Sequence, residues 1–151
     1  MDLVPMAFAD FDVFIQRAIV HQAHERVTTD FLSLETARLV AQTGTERILS
    51  AGIHTPNHYF YNLVTDAICV GQAWLHINRS DKLAWLYFLH IEPAQRQQGF
   101  GGHAMTAIKA QAKALGAQVF WLNVVQANSA AQALYRQAGL EIAAFHMNCQ
   151  L

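Results

Sequence analysis

The middle of the chain holds three runs of β-branched and aromatic residues, and a short polar turn separates each run from the next. The runs cover residues 59–64, 67–78 and 83–91, which are lengths typical of strands. Such short turns connect antiparallel neighbours, because a parallel crossover needs a dozen residues or more. The sequence therefore predicts a three-stranded antiparallel meander, and the rest of the fold must be built around it.

Helical periodicity lies on both sides of the meander. Before it, apolar residues recur every three or four positions over residues 11–27 and, more weakly around Gly44, over residues 33–50. Asp10 is the predicted N-cap of the first of these helices. After the meander, the patterns predict a helix over residues 101–115, a strand over 118–125, a helix over 129–138 and a last strand over 141–148.

Together with a short extended start at residues 3–6, these elements have the order βααβββαβαβ. The fold class is therefore α/β, with a mixed and mostly antiparallel central sheet that helices flank. The 151 residues suit a single domain, residues 1–151, and leave no room for a second core of ordinary size.

Charged residues are scarce, which narrows the classes of partner. Lys and Arg number 10 and Asp and Glu 11, so the net charge of -1 gives no reason to expect nucleic acid or an anionic membrane. Charged residues make up only 14% of the chain, against roughly 25% in ordinary soluble domains. Apolar surface should therefore remain after folding, and a homodimer or another homo-oligomer would bury it.

The cysteines and the apolar runs indicate the compartment. Cys69 and Cys149 form no metal or redox motif and have no Lys or Arg beside them, which is typical of thiols in a reducing environment. No run reaches the ~18 apolar residues of a membrane span, and the first residues lack the pattern of a secretory leader. We expect a cytoplasmic protein.

A glycine-rich stretch lies between the third strand of the meander and the helix that follows. It reads Arg96-Gln97-Gln98-Gly99-Phe100-Gly101-Gly102. Glycines let a backbone approach an anion closely, and the unbonded N–H groups at the start of a helix attract phosphate. The stretch therefore indicates a phosphate or pyrophosphate site, although the same glycines would also serve a simple tight turn. A dinucleotide site is not favoured, because no acidic residue ends the next strand.

Two spaced motifs carry a family resemblance. The first is Ile91-x-Pro93-x-x-Arg96-x-x-Gly99-x-Gly101, and the second, about 30 residues on, is Asn128-x-x-Ala131-x-x-Leu134-Tyr135-x-x-x-Gly139. Together with the order of the elements, they resemble the GNAT superfamily of acyl-CoA-dependent N-acyltransferases. The resemblance implies acetyl-CoA as the cofactor and a primary amine, on a small molecule or a peptide, as the acceptor.

The resemblance also assigns the cofactor site residue by residue. Backbone groups of Leu89 and Ile91 would hold the pantetheine arm of the cofactor, which Asn128 would also contact. The pyrophosphate would lie on the glycine-rich stretch. The residues assigned to it there are Arg96, Gln97, Gln98, Gly99, Gly101 and Gly102.

The resemblance implies direct attack of the amine on the thioester, and Tyr135 matches the tyrosine that protonates the departing thiolate. Such a reaction also needs a neutral amine, and the general base is where this chain departs from the pattern, because residues 83–91 include no carboxylate. His90 stands where many members have Glu and is the candidate base, with a structural histidine or a water relay as alternatives. A catalytically silent CoA-binding sensor or interaction module of the same fold is the alternative function.

The remaining histidines and aromatic residues predict less. His21 and His24 belong to an H-x-x-H-E pattern, which is not a metalloprotease motif and has no third ligand to offer, so no metal is expected. Trp74, Trp85 and Tyr87 are interpreted as core or as the wall of a cleft. No basic patch accompanies them, so they do not indicate a surface for stacking nucleotide bases.

Overall fold

The structure is a computed structural model that describes residues 1–150, and these residues group into two compact units. One unit, the sheet unit, consists of residues 1–7 and 56–141. The other, the helical unit, consists of residues 8–55 together with the C-terminal segment from residue 142 onwards. The interpretation of residues 1–151 as one domain stays a prediction.

A five-stranded sheet forms the centre of the sheet unit, with its strands in the spatial order β1-β2-β3-β4-β5. The three pairings from β1 through β4 are antiparallel, and β4 pairs with β5 in parallel. The mixed, mostly antiparallel sheet and its three-stranded meander are therefore confirmed. The strands are β1 (Asp2–Pro5), β2 (His58–Thr65), β3 (Ile68–Asn78), β4 (Leu83–Ile91) and β5 (Val119–Leu122).

Strands β3 and β4 approach each other unusually closely at Gly71. A Cβ atom at this position would lie 2.2 Å from the backbone oxygen of His90, which is a distance that no real side chain tolerates. Only glycine therefore allows the two strands to keep this spacing. The close approach fixes the end of β4, where the predicted site residues begin.

Two helices belong to the sheet unit, α3 (Phe100–Ala114) and α4 (Ser129–Gln137). The apolar face of α3 is buried and packs against one face of the sheet in a single core cluster. Gly116 has a φ of +95° just beyond the end of α3, which confirms the glycine stop that the sequence predicts. The helix residues buried in this core are Ala104, Met105, Ile108 and Ala112.

The helical unit contains α1 (Phe8–Thr29) and α2 (Leu34–Ile48), whose small buried residues pack against each other. Ser33 caps α2, since its Oγ accepts a hydrogen bond from the Thr36 N–H at 3.2 Å. The prediction that Asp10 is an N-cap is wrong, because α1 begins two residues earlier and Asp10 lies in its first turn. Within residues 1–150, no helix combines the length and the apolar character needed to cross a bilayer.

The last predicted strand, residues 141–148, is absent, so the order of elements among the described residues is βααβββαβα. The apolar side chains of this segment are exposed, by 56% at Ile142 and 78% at Phe145. A strand needs a neighbouring strand for its backbone groups and a buried face, and β5 pairs with β4 alone. Strand β5 is also shorter than the predicted 118–125, since its pairing with β4 ends at Leu122.

Candidate functional site

The two parallel strands of the sheet part from each other and leave an opening. Their pairing begins at Leu83 with Val119 and ends at Leu86 with Leu122. Strand β5 stops there, whereas β4 continues to Ile91. The second half of β4 therefore has β3 on one side and the opening on the other.

The backbone of Leu89 and Ile91 faces this opening. The Glu92 N–H donates to the Val70 carbonyl at 2.9 Å, and antiparallel ladders use alternate residues for such bonds. The hydrogen-bonded residues of β4 in this register therefore include His90, and the N–H and C=O groups of Leu89 and Ile91 point away from β3. Arg96 lies beside them, because its Nε donates to the Ile91 carbonyl at 3.0 Å.

The N-terminus of α3 follows at the same end of β4. Gln97 and Gly99 both have positive φ angles, of 59° and 81°, so the chain turns sharply before the helix. Gly99 is the N-cap and supplies no side-chain hydrogen bond to the helix. Its carbonyl accepts from the N–H groups of Gly102 and His103, which leaves the earlier N–H groups without a helical acceptor.

Gly101 and Gly102 differ in the space that surrounds them. A Cβ atom at Gly101 would lie 3.1 Å from Leu134 Cδ2, so this glycine permits α3 and α4 to pack. A Cβ atom at Gly102 would meet nothing within 4 Å, and the φ angle of Gly102 is not positive. Glycine in a helix costs roughly 0.5–1 kcal/mol relative to alanine, and no contact or dihedral of Gly102 offsets that cost. A glycine at this position would permit the close approach of a bound anionic group.

Helix α4 carries the two residues of the second motif. Asn128 is its N-cap, and Oδ1 of Asn128 accepts from the Ala131 N–H at 3.1 Å. The amide nitrogen is therefore the group that Asn128 can direct to a ligand. Tyr135 is half-buried and packs against the core of the sheet unit. The structure thus gives both residues a structural contact in addition to any role in binding.

His90 lies beside a carboxylate after all. Its Nε2 is 3.5 Å from Oε2 of Glu92, and its ring stacks on Phe88 with an interplanar angle of 12°. An adjacent carboxylate favours the protonated form of an imidazole. Sequence reasoning missed the pair because Glu92 follows the strand, although residues two apart in an extended chain lie on the same side.

Two histidines meet on the sheet, and one of them, His58, was predicted to lie in a loop. His58 is the first residue of β2, its Nδ1 accepts from the Trp74 Nε1–H at 2.9 Å, and its ring stacks on His76 at 4.4 Å between centroids. Burial, and secondarily the charge of His76, lower the pKa of His58 to about 4. Burial also lowers the pKa of His76. Both imidazoles are therefore neutral at pH 7.

The two tryptophans and the tyrosine that were interpreted as core or cleft wall divide between those roles. Trp74 is fully buried, whereas Trp85 and Tyr87 are half-buried on β4.

The histidines of the first helix lie in the helical unit, where Nδ1 of His21 is 3.8 Å from Oε1 of Glu25. Within residues 1–150, no three His, Cys, Asp or Glu side chains are placed to bind one metal ion.

The geometry of the sheet unit agrees with a comparison against known families. Residues 19–140 match the sequence model of the acetyltransferase (GNAT) family. The chain belongs to the GNAT acetyltransferase family. It is an acetyltransferase, and the cofactor that the sequence implied, acetyl-CoA, agrees with this membership.

Relatives and solved structures support the assignment to the GNAT family. The N-acetyltransferase YycN of Bacillus subtilis (strain 168) is 26% identical over 142 residues, which are 92% of this chain and 91% of YycN. The crystal structure of YycN matches with a TM-score of 0.92 at 25% identity, over 99% of this chain and 98% of that one. The aminoglycoside N-acetyltransferase AAC(6')-Iy, solved in complex with CoA, shares the fold, with a TM-score of 0.62 at 15% identity over 99% and 98% of the two chains.

Proposed function

We propose that this GNAT acetyltransferase transfers the acetyl group of acetyl-CoA to a primary amine by direct attack on the thioester. The observation that carries the proposal is the opening beyond the paired part of β4 and β5, next to an N-terminus of α3 that no side chain caps. Backbone groups that face an opening suit an extended amide-bearing arm, and uncapped N–H groups suit its pyrophosphate.

The residues around the opening supply the binding groups. Leu89 and Ile91 would bond the amides of the pantetheine arm through their outward N–H and C=O groups, with the Asn128 amide as a further donor. The pyrophosphate would accept hydrogen bonds from backbone N–H groups at the start of α3 and lie over Gly102, where a Cβ atom would meet nothing within 4 Å. The other residues proposed for the pyrophosphate are Arg96, Gln97, Gln98, Gly99 and Gly101.

The proposed reaction balances with two proton transfers. The amine nitrogen attacks the thioester carbonyl carbon, the new C–N bond replaces the C–S bond, and the thiol leaves. Tyr135 would give its hydroxyl proton to the departing sulfur, and a base would take the proton that the amine loses. No covalent intermediate on the protein is needed for this reaction.

The alternative is a CoA-binding sensor or interaction module that no longer catalyses transfer. The test is a panel of primary amines incubated with acetyl-CoA, with released thiol and the mass of the acetylated product as readouts. We expect thiol release that depends on the amine. A protein that acetyl-CoA stabilises against heat, but that acetylates none of the amines, would instead support the sensor.

We propose His90 as the base, with Glu92 beside it to favour proton uptake. Under limiting acceptor, activity should rise with pH across the range in which a histidine titrates, because only the neutral imidazole accepts a proton. His90→Ala should remove this rise and leave only the shallow rise that deprotonation of the amine in solution causes. His90→Glu should restore part of the rate with the rise moved to lower pH. The measurement is the pH profile of kcat/KM for each variant.

Two controls keep the His90 result interpretable. His54→Ala removes an exposed histidine of the helical unit and should leave the profile unchanged. The affinity for acetyl-CoA must be measured for every variant, because His90 lies between Leu89 and Ile91. A His90→Ala variant with unchanged rate and profile would make His90 structural and leave proton transfer to another group or to water.

We also propose that the protein is cytoplasmic and forms a homodimer. The support for the homodimer is apolar surface on the helical unit, where the exposed fractions are 71% for Phe8, 68% for Val13 and 65% for Leu39. Scattered apolar residues are ordinary on a protein surface. In this chain, however, few charged side chains separate them from one another, so a second copy that covered this surface would stabilise the protein.

A further inference from the structure

A row of aromatic and imidazole rings crosses one face of the sheet. It starts at Trp121 on β5, passes over β4 and β3, and ends at His58 on β2. Neighbouring ring centroids are 5.7 Å apart for Trp121 and Trp85, 6.2 Å for Trp85 and Tyr87, 6.1 Å for Tyr87 and His76, and 4.4 Å for His76 and His58. We call these five residues the ring row.

The ring row begins where the two parallel strands part. Trp85 and Trp121 are Cα partners, one position before the pairing ends at Leu86 and Leu122. Tyr87 is the first residue of β4 beyond the paired part. The row is therefore continuous with the closed end of the opening, where an arm that enters from the α3 end would place its reactive terminus.

The ring row is open to solvent and carries no carboxylate. Trp121 is 48% exposed, and Trp85, Tyr87 and the two histidines are half-buried. Asp81, in the turn between β3 and β4, accepts a hydrogen bond from the Asn78 side chain, and Glu92 lies beside His90. An acceptor with several ammonium groups would find no anionic partner in the row. A flat ring would find faces to stack on, and a single ammonium group can lie over an indole.

We propose that the ring row is the acceptor subsite and that the acceptor is an arylalkylamine, with one amine and one aromatic ring. The inference rests on the proposed function and narrows its amine to one class. The aromatic ring of the acceptor stacks on Trp85 and Trp121, and its amine extends towards Tyr87, at the closed end of the opening. The row therefore selects against polyamines and aminoglycosides, which carry several charges and no aromatic ring.

The test compares amines of matched size. With saturating acetyl-CoA, 2-phenylethylamine should have a kcat/KM about three- to thirtyfold above that of 2-cyclohexylethylamine, because only the phenyl ring has a π-face. Spermidine and neamine should be poorer still. Equal rates with the two ring amines, or a preference for spermidine or neamine, would overturn the proposal.

A matched pair of variants tests the position of the subsite. Trp121→Ala should raise the KM for 2-phenylethylamine by about three- to thirtyfold and raise the KM for 2-cyclohexylethylamine by less, because the cyclohexyl ring loses apolar contact but no ring stacking. Val119→Ala is the control, because Val119 is also 48% exposed and lies on the same face of the same strand but has no ring. Equal effects of the two substitutions on KM would place the acceptor elsewhere.

Binding without turnover separates this inference from the proposed function. Binding of 2-phenylethylamine to the CoA-bound protein is measured by titration calorimetry. Saturable binding that Trp121→Ala weakens, in a protein that acetylates no amine, would support the subsite and contradict the proposed activity. Acetylation of other amines, without any binding or acetylation of 2-phenylethylamine, would support the activity and overturn the subsite.

Discussion

Acetyl-CoA should fail to raise the melting temperature of a Gly102→Asp variant, although the unliganded variant should melt at or above the temperature of the wild type. The substitution should stabilise the free protein and weaken acetyl-CoA binding, because Gly102 is in open space at the first turn of α3. A carboxylate there interacts favourably with the helix dipole and replaces a glycine, but it would lie against the pyrophosphate.

Thermal melts with and without acetyl-CoA provide the measurement. At a hundredfold excess over the dissociation constant, acetyl-CoA should stabilise the wild type by about 2.7 kcal/mol, and this gain should vanish in the variant. Gly44→Ala is the control, because Gly44 is a helical glycine of α2 whose Cβ atom would also meet nothing within 4 Å. It should raise the melting temperature and preserve the acetyl-CoA effect. A full acetyl-CoA effect in Gly102→Asp would exclude the start of α3 as the pyrophosphate site.

A substitution of Gly101 would test the pyrophosphate site less clearly than one of Gly102. Gly101 contacts Leu134 of α4 with no space to spare, so a side chain there would disturb the packing of the two helices. A loss of binding in a Gly101 variant would therefore not distinguish a lost cofactor contact from a displaced α4. The structure selects Gly102 because its substitution leaves the protein's own contacts intact.

Tyr135→Phe should lower kcat by roughly 100-fold or more and leave the affinity for acetyl-CoA within a few fold of the wild type. A positioned general acid typically contributes such a factor, and phenylalanine removes only the hydroxyl group. The ring of Tyr135 packs against the core of the sheet unit, and phenylalanine preserves that packing. Steady-state thiol release gives kcat, and the acetyl-CoA-dependent melting shift gives the affinity.

Tyr61→Phe provides the control for the loss of a buried hydroxyl. The Tyr61 hydroxyl accepts from Gln111 Nε2 at 3.2 Å, and Tyr61 is buried on β2, away from the opening between β4 and β5. Its substitution should lower the free energy of unfolding by about 1 kcal/mol and leave kcat nearly unchanged. If kcat of Tyr135→Phe also stays at the wild-type value, Tyr135 takes no part in proton transfer.

The local features of this protein could be predicted from the sequence because each depends on neighbours in the chain. The meander follows from runs of β-branched and aromatic residues and short polar turns, and its strands are observed within one residue of the predicted bounds. The glycine-rich stretch, the start of α3 and the stop at Gly116 follow from turn and helix-end preferences. The spacing of the two motifs indicated the family, which the family model confirms.

Only the tertiary structure determined which strands pair with each other and where their pairing ends. The opening exists because β4 is longer than β5. The periodicity of the sequence predicted β5 too long, because a periodic pattern contains no information on where the pairing with β4 ends. The predicted last strand failed for the same reason, since a strand exists only where another edge accepts it. The ring row and the His90–Glu92 pair likewise depend on register and on the course of the chain after β4, and these are set by packing between residues far apart in the sequence.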